Sequence, residues 1–183
     1  MAEVKREYQK TGELKQEWFE INGIKEGEYK SYHENEKLWY ICNYVNGKRE
    51  GEYKEYYMNE QLRCICNYVN GKLEGESKSY YINGQLQICY NFVNGNLDGE
   101  SKVYFINGQL ELISNYVNGK YNGEYKSYHE NGELKEICNY VNNMIEGEYK
   151  KYYENGELKE ICNYVNGKKT RNHTLSNLSL THF

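Results

Sequence analysis

The sequence is a repeat. The stretch 123–142, GEYKSYHENGELKEICNYVN, has close copies beginning at Gly27, Gly51, Gly75, Gly99, Gly123 and Gly147, a period of 24 residues without a slip. A fixed period of this size means that one small unit stacks on its neighbours, so the chain can fold only as a linear array. A degenerate copy precedes the six, with Tyr8 in the column of Tyr32.

Each unit carries two turn signals. The first is Asn-Gly at Asn83, Asn107, Asn131 and Asn155, with Asn35-Glu36 and Asn59-Glu60 as variants. The second is Asn-Gly at Asn22, Asn46, Asn70, Asn94, Asn118 and Asn166, replaced once by Asn142-Asn143. Asn-Gly suits the two consecutive positive φ angles of a type I′ turn and is the strongest short hairpin signal. Turn residues every 11 to 13 positions, with no helical stripe between them, exclude helix.

Two-residue loops throughout would set the register. His33 then faces Leu38, Ser31 faces Tyr40, Tyr29 faces Cys42 and Gly27 faces Tyr44. Across the next turn Tyr44 faces Arg49, Cys42 faces Gly51 and Tyr40 faces Tyr53. One side gathers the Tyr29, Leu38, Cys42 and Tyr44 columns, and the Tyr44-type rings are expected to cover bare glycine backbone. The other side reads Glu28, Lys30, Tyr32, Glu34, Ile41, Asn43 and Val45. Where the Tyr29 column holds Ser77, its partner column holds Tyr90 in place of Cys, an exchange of volume across the pair. In this register every two strands step by two residues, about 6.6 Å, over about 9.6 Å of sheet. Equivalent columns would slant by roughly 35°, the shear that rolls sheets.

The expected fold is therefore all-β: tandem antiparallel hairpins in an elongated, twisted, single-layer meander of about 14 strands, near 65 Å long at about 4.8 Å per strand. The alternative is a β-solenoid with 24 residues per coil. Seven repeats, the first and last incomplete, would occupy 1–169, and 170–183 would be a tail or cap covering the last edge. Lys5, Arg6 and Glu7 would blunt the first edge.

Hydrophobic residues make up only 38% and mean hydropathy is -1.01, yet there are 22 Tyr, so much of the buriable surface is amphipathic ring. Disordered chains lack such aromatics and such period. The net charge of -4 comes from interleaved signs, which argues against nucleic acid as a partner. The start, MAEVKREYQK, has no apolar signal core, and no run reaches the roughly 18 apolar residues of a membrane span, so an intracellular protein is expected.

Little in the chain suggests chemistry. Cys42, Cys66, Cys138 and Cys162 share one column with Tyr90 and Ser114, which marks a packing position. Cys64-x-Cys66 aims two thiols to one face without a His or Cys partner, a poor zinc site. His33 and His129 replace Tyr in a column and read as packing groups. Each Glu column runs beside a Lys column, so neither a desolvated carboxylate nor an anion-binding stripe at Lys30, Lys54, Lys78, Lys102, Lys126 and Lys150 is expected. No catalytic, metal or cofactor site is expected.

The unit G-E-Y-K-x-Y-Y-x-N-G-x-L-x-x-x-x-x-Y-x-N-G, carried by Gly123, Tyr125, Tyr128, Asn131-Gly132, Leu134, Tyr140 and Asn142, resembles the MORN-repeat variant over about residues 3–169. The unit is a few residues longer and poorer in Gly than the ordinary MORN repeat. Its Asn-rich tandem copies are similar to sets in giant DNA viruses of amoebae. The resemblance implies single-layer hairpin arrays serving as scaffolds, often self-associating, with membrane-lipid attachment in some members, antitoxin labels on some bacterial relatives and no catalytic residues. The expected function is a non-enzymatic scaffold that binds a protein partner or itself, with Tyr32, Tyr56, Tyr80, Tyr104, Tyr128 and Tyr152 as candidate contacts. Such rings bind well because they gain area at little entropic cost. The second reading is a peripheral membrane or phosphoinositide binder, and the third an antitoxin-like inhibitor.

Overall fold

A computed structural model describes residues 1–170 as one open antiparallel sheet. Strand follows strand in chain order, from Ala2–Tyr8 against Leu14–Ile21 to Leu158–Val165 against Lys168–Lys169. Four strands are split in two, as at Lys48–Arg49 and Gly51–Tyr56. Counting each split strand once among the 19 segments leaves fourteen full strands and a two-residue stub. Every pairing is antiparallel, whereas the coils of a solenoid would pair in parallel, so the meander is the fold. The segment 171–183, expected as a tail or cap, lies outside the described residues.

The two turns of each unit obey different rules. At the second turn both central residues are left-handed, Asn46 with φ 50° and Gly47 with φ 75°, as a type I′ turn requires. The first turn is not of this type. Asn35 is not left-handed; only Glu36 is, with φ 62°. His33 N–H donates to Lys37 O (2.8 Å) and Glu36 N–H to His33 O (3.0 Å), a three-residue loop closed by a left-handed residue. Asn is used here for its side chain: Asn83 Oδ1 accepts from Gln85 N–H and Asn131 Oδ1 from Glu133 N–H, each 3.0 Å. This longer loop adds a bulge at Trp39, so Leu38 pairs with Tyr32 and not with His33. Leu38 thereby leaves the Tyr29 side and joins Ile41 on the other.

Beyond that bulge the expected register holds, with Tyr29 opposite Cys42 and Gly27 opposite Tyr44. Across the second turn it fails after two pairs. Tyr44 faces Arg49, but Tyr40 then faces Glu55 and Ile41 faces Lys54. The chain bulges at Glu50-Gly51, where Glu50 N–H donates to Asn43 O (2.9 Å) and Gly51 has φ +79°. Cys42 therefore does not face Gly51, nor Tyr40 Tyr53, although the last two rings still stack diagonally at 5.5 Å. The bulge absorbs the two residues that would otherwise have accumulated as shear. Lys30 pairs with Ile41 and Ile41 with Lys54, so equivalent residues run straight across the strands, not at a slant.

That alignment lets successive repeats bond to one another. Gly47 N–H donates to Lys25 O, Gly71 N–H to Arg49 O and Gly95 N–H to Leu73 O, at 2.8–2.9 Å. An acidic column caps the same turns: Glu26 accepts from Asn46 N–H, Glu50 from Asn70, Glu74 from Asn94 and Asp98 from Asn118. Where this column becomes Asn122, the turn becomes Asn142-Asn143, and Asn143 Oδ1 instead accepts from Tyr121 N–H (2.7 Å). In the Asn43 column, Asn91 Nδ2 staples the bulge by donating to Asp98 O (2.7 Å), and Asn115 Nδ2 donates to the backbone of Glu124 (3.4 Å).

The buried residues, Tyr29, Ser31, Cys42, Cys66, Ser101, Ser114, Cys138 and Cys162, all belong to the Tyr29 side. The tyrosine rings packed side by side cover the smaller residues between them, which makes this the buried, inner face. Rings line it: Tyr29–Tyr40, Tyr53–Tyr68 and Tyr121–Tyr140 have centroids 5.1–6.0 Å apart. Ser77 does face Tyr90. Ser101 faces Ser114, so that pair is small on both sides. Ser114 is nonetheless only 1% exposed.

Candidate functional site

The outer face carries the tyrosine column. Tyr32, Tyr56, Tyr80, Tyr104, Tyr128 and Tyr152 are all half-buried. Tyr32 Oη donates to Glu17 Oε1 (3.0 Å), and burial together with that carboxylate pushes its hydroxyl up to about 12. The straight register places one such ring per repeat beside the same neighbours. Tyr56 flanks a shallow hollow of about 490 Å³ with Leu38, Ile41, Glu52 and Lys54. Tyr80 flanks an equivalent hollow with Ile65 and Lys78, and Tyr152 another with Leu134, Ile137 and Lys150. The Leu38-type residue, present in the hollows at Tyr56 and Tyr152, is the one expected from the sequence on the inner face.

The lysines beside the hollows are neutralised. Lys30 pairs with Glu28, Lys54 with Glu52, Lys78 with Glu76, and Lys126 with Glu124 at 2.6 Å. The glutamate hydrogen bond raises the pKa of Lys54, Lys78 and Lys126. This column is a paired, solvated surface, as expected.

A second cationic row went unnoticed in the sequence. Among the described residues Lys48, Lys72, Lys120 and Lys168 make no ion pair. Each faces an exposed valine across the second turn: Val45, Val69, Val117 and Val165. Their common place two residues after Asn46, Asn70, Asn118 and Asn166 was the available signal, although Ile24, Asn96 and Met144 fill the same place in the other units.

His33 and His129 are structural. His33 Nε2 sits 2.9 Å from Tyr56 O, and His129 Nε2 3.2 Å from Tyr152 O. Tyr57 and Tyr81, in the same column, send Oη to Tyr80 O and Tyr104 O at 2.7 and 2.8 Å. Tyr and His interchange because both present a ring donor to the next repeat. All six cysteines are free thiols. The Cys66 thiol donating to Cys64 lowers the pKa of Cys64, while burial raises that of Cys42. Among the described residues no cluster of three or more His, Cys, Asp or Glu side chains could hold a metal ion, and no helix is long and apolar enough to cross a membrane.

The description "MORN repeat variant" matches six consecutive segments, 25–46, 49–70, 73–94, 97–118, 121–142 and 145–166. The chain belongs to the MORN repeat variant family. Each matched segment of this MORN chain spans one hairpin, from its first strand through the first turn and second strand to the Asn that opens the second turn, as in 25–46. MORN repeats serve generally as protein or membrane-lipid interaction modules, without enzymatic activity, which places this chain among repeat scaffolds or binding modules. No match was found among curated proteins. Among solved structures, "Crystal Structure of TcdB2-TccC3-Cdc42" aligns with 91% of this chain and 13% of its own, at 14% identity and a TM-score of 0.24.

Proposed function

We propose that this MORN chain is a non-enzymatic scaffold that holds a protein partner, or another copy of itself, on its outer face. Tyr32, Tyr56, Tyr80, Tyr104, Tyr128 and Tyr152 are the contact residues. The observation carrying this reading is the recurrence of one half-buried ring beside an apolar-floored hollow, at Tyr56, Tyr80 and Tyr152 alike. Rigid rings at a constant spacing offer contact area with little side-chain entropy left to lose. An origin in a giant virus of amoebae, and action inside its host cell, fit the Asn-rich, Pro-free composition and belong to the same proposal. Affinity capture from the native cell, with sedimentation of the purified chain, tests it. The Tyr80→Ala/Tyr104→Ala variant should lose the captured protein or the self-associated species; unchanged capture and sedimentation would reduce the column to ring-on-sheet packing.

The unpaired Lys48, Lys72, Lys120 and Lys168 beside exposed valines favour a second reading, attachment to an anionic membrane surface. Vesicles containing phosphoinositide should then co-sediment the chain at low salt, and reversal of these four charges should abolish it. Binding that survives the reversal would rule this reading out.

A further inference from the structure

The first turns form one long edge of the sheet, and their tip column reads Lys10, Glu34, Met58, Ile82, Ile106, Glu130, Glu154. The three central tips are among the most exposed apolar side chains in the protein, Met58 at 60%, Ile82 at 59% and Ile106 at 58%. Nothing in the turn requires an apolar residue there, since the flanking copies build the same loop with Glu.

The tips are held in a fixed row. Asn35 Nδ2 donates to Met58 O (3.5 Å) and Asn107 Nδ2 to Glu130 O (3.3 Å), while the Tyr57 and Tyr81 hydroxyls brace the carbonyls of the next repeat behind them. Because equivalent residues run straight across the strands, neighbouring tips stand two strand spacings apart, about 9.6 Å. Lys37, beside the row, is already bonded to Glu60 (2.8 Å). The row therefore presents three apolar tips flanked directly by carboxylates, Glu34 on one side and Glu130 on the other, with Lys10 lying beyond Glu34.

Charge decides what can cover it. A second copy related by a two-fold axis at Ile82 would lay Met58 on Ile106, but its Lys10-on-Glu154 pairs are cancelled by Glu34 on Glu130, acid on acid beside the apolar tips, whereas a partner with cationic ends meets Glu34 and Glu130 without a like pair. An anionic membrane meets the same repulsion. A helix rises 1.5 Å per residue, so side chains seven apart are about 10.5 Å apart on one face, close to the tip spacing. From this we infer that the first-turn edge is a docking site for an amphipathic helix of a partner protein, with apolar side chains at i, i+7 and i+14 and Lys or Arg at both ends. This deepens the scaffold reading but uses a surface separate from the tyrosine column.

A synthetic 18-residue helix of that pattern, with leucine at the three positions and lysine at each end, labelled and titrated into the full chain by fluorescence anisotropy, tests the proposal. It should bind; salt and glutamate ends should each weaken it, and Ile82→Asp should cost at least tenfold. Ile82→Asp places an acid where Glu34 and Glu130 already stand, so folding is kept. Tyr80→Ala should leave this affinity unchanged, so that failure of the edge and failure of the tyrosine column read separately. Four results would each overturn the proposal: no binding, equal binding by Ile82→Asp, equal binding of a peptide with a central proline, or a dimer of the native chain that Ile82→Asp dissociates.

Discussion

At the scale of the residue, the glycine column shows how a right pairing can rest on a wrong cause. Gly27 does lie opposite Tyr44, as the turn spacing implied. Its role, however, is conformational: Gly27, Gly51 and Gly75 have φ of +77°, +79° and +76°, and a Cβ at Gly51 or Gly75 would meet nothing within 4 Å. The space under the ring is free; the backbone is what excludes a side chain. Gly75→Ala should therefore cost about 1–2 kcal/mol through the left-handed conformation alone. Gly75→Asn should cost less, because Asn tolerates that region. Urea midpoints of the two variants check this; equal losses would mean that the ring, not φ, governs the site. The Asn35 column carries the same lesson, since Asn is enriched there for its side-chain acceptor and not for positive φ.

At the scale of the element, the hairpin was legible and its joints were not. Period, strand class, antiparallel pairing and the second turn followed from Asn-Gly spacing, because a type I′ turn ties two residue identities to two φ values. The first turn carries the same dipeptide in a three-residue loop, and nothing local separates the two cases except the length of the flanking strands. A bulge likewise leaves only a weak mark, here an acidic residue before glycine, and that pair reads equally well as an ordinary strand start. The error moved Leu38 to the wrong face and so hid the floor of the outer hollows. The neutralised Lys30 column was legible because its partner stands two residues away on the same strand. The unpaired Lys48 column was not, because its facing valine is fixed by the turn and its isolation by the whole ion-pair network.

At the scale of the whole molecule, a single layer has one buried side, and that side is made of tyrosines rather than aliphatic chains. Burial raises the pKa of Tyr29, Tyr53, Tyr116, Tyr140 and Tyr149, and pushes Tyr125 up to about 12. An unfolded tyrosine ionises near 10, so the folded state holds protons that the unfolded state gives up. This stabilisation is complete below pH about 10 and is lost as pH rises through the folded values. The urea midpoint should fall from pH about 10 upward, with tyrosinate absorbance rising together with unfolding; a flat midpoint with free titration near 10 would contradict the buried inner face. Everything else, from the row of tips to the stapled turns, depends on equivalent residues lying straight across the sheet. Cross-strand backbone NOEs on the isotope-labelled chain test that alignment most directly. Contacts should link Ile41 with Lys54 and Ile137 with Lys150; contacts linking Ile41 with Glu52 would restore the slanted register and contradict the account.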